Sequence, residues 1–157
     1  MKTIVAAADE SDLGKRVLTR AADVAEAFGA HLIVVSVADV PRETAVPGFV
    51  TPVGAISAPV GVTPYPAEPL DVEPPPDEVS RHRLEHARAQ LAARGVDVEY
   101  VAEIGGEAER LLEVADRREA DLIVVGSAER GFIDRLLGHD VGDRVAHRAK
   151  RDVLLVH

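Results

Sequence analysis

Four short apolar runs recur along the chain: Ile4-Val5-Ala6-Ala7-Ala8, Leu32-Ile33-Val34-Val35-Ser36-Val37, Leu122-Ile123-Val124-Val125 and Val153-Leu154-Leu155-Val156. Each is continuous rather than alternating, so each must be covered on both faces. The stretches between them carry helical periodicity. Leu13, Val17, Ala21, Val24 and Phe28 fall on one helix face, after a cap at Ser11 or Asp12 and before a stop at Gly29. Residues 77–94 form a second helix ended by Gly95. Residues 107–118 form a third, with Ala108, Leu111, Leu112 and Ala115 inward. A helical turn spans residues 133–137, and a last helix spans residues 141–149. Residues 96–101 alternate apolar and polar, the mark of a half-exposed strand. Strands alternating with helices predict an α/β domain: a three-layer α/β/α sandwich around a five-stranded parallel sheet.

Proline marks one long interruption. All ten prolines lie between Pro41 and Pro76, a stretch that cannot carry a helix interior or a central strand. It reads as an irregular insertion in one domain spanning residues 1–157. Its apolar residues, among them Phe49, Ile56 and Tyr65, give it surface with which to dock. A Gly/Ser linker in its place is expected to leave the core able to fold.

Composition narrows the function. A net charge of -9 opposes the basic footprint that nucleic acid requires, and 3% aromatics leaves few stacking platforms. No apolar run reaches the length of a membrane span, so neither nucleic acid nor membrane is expected as a partner. The first residues lack the apolar core of a signal peptide, so the expected location is the cytoplasm. The absence of cysteine removes thiol catalysis and cysteine-based zinc sites.

In parallel sheets of this kind, ligands bind beyond the carboxyl ends of the strands. The residues there are Asp9-Glu10, Ala38-Asp39, Gly105-Gly106 and Gly126-Ser127. A glycine at 126 permits a tight turn and close backbone approach, and a following helix start offers N–H groups to phosphate. Asp9-Glu10 resembles the acidic pair of phosphoacceptor receiver domains. The further Asp and Lys that such a domain needs are missing, and Asp9 reads more simply as a turn former. Ser127, His139 and Asp140 do not make a nucleophilic triad, because adjacent His and Asp are poorly placed for a relay and the G-x-S-x-G pattern is absent. His82 and His86 stand four apart on one helix face, a spacing that holds metals. No glutamate completes H-E-x-x-H, and with Arg81, Arg83 and Arg88 nearby the face reads as solvated. Neither a catalytic residue nor a metal site is expected.

The stretch Asp121-Leu122-Ile123-Val124-Val125-Gly126-Ser127, continued by Arg135-Leu136-Leu137 and Val153-Leu154-Leu155-Val156, resembles the universal stress protein family. Asp9 and Gly105-Gly106-Glu107-Ala108 match as well, and only the proline-rich insertion falls outside the likeness. The resemblance implies a Rossmann-like fold of the adenine nucleotide alpha-hydrolase-like type, with strand order 3-2-1-4-5. It implies that an adenine base would sit near Ala8, Asp9 and Val37. ATP-binding members carry G-x2-G-x9-G-[ST] after the fourth strand. Counted from Gly126, the later positions here are Glu129, His139 and Asp140, with Val141, Val145 and Ala149 in register. The implied pocket is thus Gly126, Ser127, Ala128, Glu129, His139, Asp140, Val141 and Gly142. A carboxylate about 4 Å from a phosphate charge costs ~1–4 kcal/mol. The expectation is a non-catalytic stress-response or signalling module with an altered, weak nucleotide pocket. The alternative is a genuine ATP or AMP binder, assisted by magnesium or slowly hydrolysing. The strand order puts Val153, Leu154, Leu155 and Val156 on an open, apolar edge, so a homodimer paired along that strand is expected.

Overall fold

The computed structural model describes residues 1–39, 76–127 and 141–157. Five of its segments are strands: β1 (Thr3–Ala7), β2 (His31–Ala38), β3 (Val98–Ile104), β4 (Leu122–Gly126) and β5 (Asp152–Val156). Four are helices: α1 (Asp12–Phe28), α2 (Pro76–Leu91), α3 (Glu107–Arg117) and α4 (Val141–Arg148). All strand pairs are parallel, in the order β3-β2-β1-β4-β5. The expected three-layer sandwich is therefore the observed one.

Side-chain alternation along each strand builds two cores from one sheet. Ile4, Ala6, Leu32, Val34 and Val124 pack with Val17, Leu18 and Ala21 of α1 and with Leu84 and Ala87 of α2. Val5, Ile33, Val35, Ile123 and Val125 pack with Leu111, Val114 and Ala115 of α3 and with Val145 of α4. Burial on both faces is what the continuous apolar runs required. At the β3 edge, which pairs only with β2 among the described residues, Val98 and Tyr100 are half-buried against the first core, while the apolar Ala102 and Ile104, beyond the alternating stretch, are exposed.

Several boundaries move. Phe28 was expected inward and is 61% exposed, because Ala25 is the last buried position of α1 before the chain turns at Gly29. Pro76 belongs to α2 rather than to the insertion, since a proline at the first helical position forfeits no intrahelical bond. The same helix ends at Leu91, before Arg94, whose guanidinium instead turns back onto Asp23 and Glu26 of α1. The third strand starts at Val98, and the Asp97 carbonyl before it accepts from the Leu32 N–H. The rest of the proline-rich segment, and the turn expected over residues 133–137, lie outside the described residues.

A parallel doubly wound sheet gathers the carboxyl ends of its strands and the N-termini of its helices at one end. That end holds Ala8-Asp9, Asp39, Gly105-Gly106-Glu107, Gly126-Ser127 and Val141-Gly142. The chain crosses from one face of the sheet to the other between β1 and β4, so the crevice opens there.

Candidate functional site

The crevice begins with the turn that follows β1. Ala8 is buried, and its N–H donates to the Val35 carbonyl at 2.8 Å. Asp9 then leaves the sheet. Its Oδ1 accepts from the Ser11 N–H at 2.7 Å and from the Ser11 hydroxyl. Ser11 Oγ in turn accepts from the Gly14 N–H at 2.9 Å, so Ser11 is the cap of α1. Space is tight in this knot. A Cβ on Gly14 would meet Asp9 Oδ1 at 2.2 Å and the Asp9 carbonyl oxygen at 2.6 Å. One oxygen of Asp9 is thus committed to the turn.

The second wall comes from β2 and α2. Val37 is buried, and its carbonyl accepts from Arg83 Nη1 at 2.9 Å. Ser36 and Ser80 bury hydroxyls that have no partner among the described residues. The third wall is the start of α3, where Gly106 caps the helix without a side-chain bond and Glu107 follows. Burial pushes the Glu107 carboxyl above its usual range, the charges of Asp9 and Asp39 push it further, and Arg83 opposes them. Three carboxylates from three strand ends therefore share one electrostatic neighbourhood.

The fourth wall joins β4 to α4. Ser127 is 3% exposed, and its N–H donates to the Val156 carbonyl at 2.8 Å. A Cβ on Gly142 would meet the Gly126 carbonyl oxygen at 2.5 Å. The first turn of α4 thus rests directly on the end of β4, which requires Gly142 to lack a side chain. Val141, beside it, packs against the second core.

Ala8, Asp9, Val37, Gly126, Ser127, Val141 and Gly142 thus lie at one end of the sheet. Ala128, Glu129, His139 and Asp140 lie outside the described residues. Sequence reasoning missed Asp39 and Glu107 as crevice acids. The first was visible as a strand-end residue and the second as a helix start, but only the strand order places them beside Asp9. It also missed Glu10 as a neighbour of His82 and His86. Both histidines are exposed, as a solvated face requires, yet the Glu10 carboxylate lies against them. Among the described residues a cavity of ≈ 210 Å³ opens elsewhere, on the α3–α4 flank between Glu109, Asp116, Arg148 and Arg151. Arg148 pairs there with Glu109, and Arg151 with Asp116.

An α/β sandwich of this order, with a crevice of helix N-termini and strand ends at its switch point, has the Rossmann-like form. The description "Universal stress protein family" matches residues 1–157, and the chain belongs to that family. The stress response protein NhaX of Bacillus subtilis (strain 168) is 28% identical over 168 residues, covering 98% of this chain and 96% of the relative. A universal stress protein solved in complex with cAMP is 30% identical, with a TM-score of 0.71 over 99% of this chain and 97% of the other. A universal stress protein from Archaeoglobus fulgidus shares the fold at 21% identity, with a TM-score of 0.67 over 100% of this chain and 99% of the other. No helix among the described residues is long and apolar enough to cross a membrane.

Proposed function

We propose that this chain is a non-catalytic stress-response or signalling module whose crevice takes an adenine nucleotide of low phosphate charge, cAMP or AMP, and holds ATP weakly. The observation that carries this reading is the shared neighbourhood of Asp9, Asp39 and Glu107, where the Glu107 carboxyl already resists ionisation. Further negative charge is costly there. At about 4 Å each carboxylate–phosphate pair costs ~1–4 kcal/mol, so a triphosphate loses several times what a cyclic monoester does. The same carboxylates accept hydrogen bonds from ribose hydroxyls and from the adenine amine. Sequence supports the reading as well, because Glu129, His139 and Asp140 stand where ATP-binding relatives are expected to have glycines and a hydroxyl. The 30% identical relative in complex with cAMP supports a ligand of this charge.

Calorimetric titration with cAMP, AMP and ATP, each with and without magnesium, tests it. The expected result is at least tenfold tighter binding of cAMP or AMP than of ATP, a difference of about 1.4 kcal/mol. The triple change Glu129→Gly, His139→Gly, Asp140→Ser should strengthen ATP binding. Tight binding of ATP by the wild type without magnesium would overturn the charge argument. Tight binding only with magnesium would favour the second reading, in which the carboxylates hold a magnesium ion that meets the phosphates.

The proposal extends to assembly. Among the described residues β5 pairs only with β4, and Leu154 and Leu155 pack on opposite cores. Two copies joined antiparallel along Val153, Leu154, Leu155 and Val156 would close the β5 edge of each. Light scattering at micromolar concentration should give a dimer, and Leu155→Pro should give monomer or aggregate. A stable wild-type monomer under those conditions would refute the pairing.

A further inference from the structure

One cluster beside the crevice plays no part in nucleotide recognition as just described. Glu10 follows Asp9 in the turn after β1, while His82 and His86 lie one helical turn apart on α2. The fold brings them together. Glu10 Oε1 is 2.6 Å from His82 Nδ1 and 3.9 Å from His86 Nε2. The two imidazole rings are 4.6 Å apart, tilted by 52°. One donor atom from each of the three residues can be chosen so that all lie within 4.8 Å of one another.

We propose that Glu10, His82 and His86 bind a divalent transition-metal ion, with zinc the best match. Two neutral imidazoles and one carboxylate are a zinc donor set that leaves a position open to water. The nitrogen donors argue against magnesium or calcium, which prefer oxygen alone. Histidines at i and i+4 on a helix share one face and converge on a single ion. Zinc bonds of about 2.0–2.2 Å put tetrahedral donors a little over 3 Å apart. The 2.6 Å contact must open slightly and the longer separations must close, which exposed side chains achieve by rotating between rotamers. Two of the nearby cations are engaged elsewhere, Arg83 with the Val37 carbonyl and Arg88 over the Tyr100 ring. A net charge of -9 favours the approach of a cation.

The ion would tie the turn after β1 to α2, whose Arg83 already bonds the end of β2. Binding to the folded chain alone raises its thermal midpoint.

The test uses the full chain, free of any affinity tag and stripped with chelator. Titration with zinc chloride, followed by calorimetry, should show one site at micromolar affinity or tighter and a zinc-dependent rise in Tm. Cobalt(II) should give the visible absorption of a four- or five-coordinate ion. His82→Ala, His86→Ala and Glu10→Gln should each weaken zinc at least tenfold, while His147→Ala leaves it unchanged. Circular dichroism of each variant separates lost ligation from lost folding, and the near-isosteric Glu10→Gln preserves a test if a histidine variant misfolds. Zinc affinity untouched in Glu10→Gln, well under one ion per chain, or magnesium bound as tightly as zinc would each overturn the site.

Discussion

The two ends of the sheet are built on opposite electrostatic plans. At the amino end, charges meet their opposites. Asp121 accepts from the backbone N–H groups of Lys2 and Thr3, which hold its carboxyl below the usual range. His31 lies between Asp97 and Glu99, and Arg118 reaches Glu99 from the end of α3. Arg151 donates to the Ala120 carbonyl at 2.7 Å and pairs with Asp116. At the carboxyl end, Asp9, Asp39 and Glu107 share a neighbourhood that raises the Glu107 carboxyl instead. In one protein, then, paired charge sits where strands begin and like charge sits where ligands are expected. A fold tolerates such crowding only where something else gains by it, and perturbed carboxyls concentrate at functional sites for that reason.

The largest break in this contrast should come from sterics at the carboxyl end. Gly142→Val places a Cβ against a backbone oxygen that cannot swing aside, so α4 must lift from β4. A loss of about 3 kcal/mol is expected, with Tm lower by roughly 6–12 °C, read by calorimetric melting. A smaller effect should follow at the amino end. Arg151→Ala removes a partly buried donor from the Ala120 carbonyl together with the Asp116 pair, at a cost of about 1 kcal/mol in urea denaturation.

The smallest change sharpens the contrast by its sign. Glu107 has a folded-state pKa raised above 4.5, so between the two values the native state holds more protons than the unfolded one. Its contribution is present at low pH and is lost as pH rises through the folded value. Glu107→Gln should therefore stabilise the protein at pH 7, by about 2 °C in Tm, and give no gain below pH 4.5. Asp121 runs the other way. Its lowered pKa contributes stability above about 3.8 that is lost as the solution is acidified. Acid should loosen the amino end while relieving the carboxyl end, and amide exchange at Lys2 and Thr3 against Gly106 and Glu107 would follow each separately.

Sequence made the sheet legible because a strand buried on both faces announces itself by an uninterrupted apolar run, as Leu122 to Val125 does. It made the end of α2 illegible because the deciding partner of Arg94 is α1, at Asp23 and Glu26, with no local signal. The crevice was legible as a set of strand ends, and Asp9 showed the bonds of a turn former. Its electrostatic character was not, since the meeting of Asp39 and Glu107 with Asp9 depends on which strands lie side by side. The partnership of Glu10 with His82 and His86 is hidden for the same reason.

The register of the central strand also governs when the chain can fold. β1 pairs with β2 soon after both are made, yet Ile4, Val5 and Ala6 find their other neighbours only in Leu122, Ile123 and Val124. The bonds from Lys2 and Thr3 to Asp121 span 119 and 118 residues. Until the ribosome has released β4, the buried central strand presents an open edge to every other nascent chain. Contacts of such high sequence separation are slow to form, and half-made sheets of this kind are prone to aggregation. The central strand is thus among the last to be enclosed, and the interval before β4 arrives is when its edge is open to wrong partners.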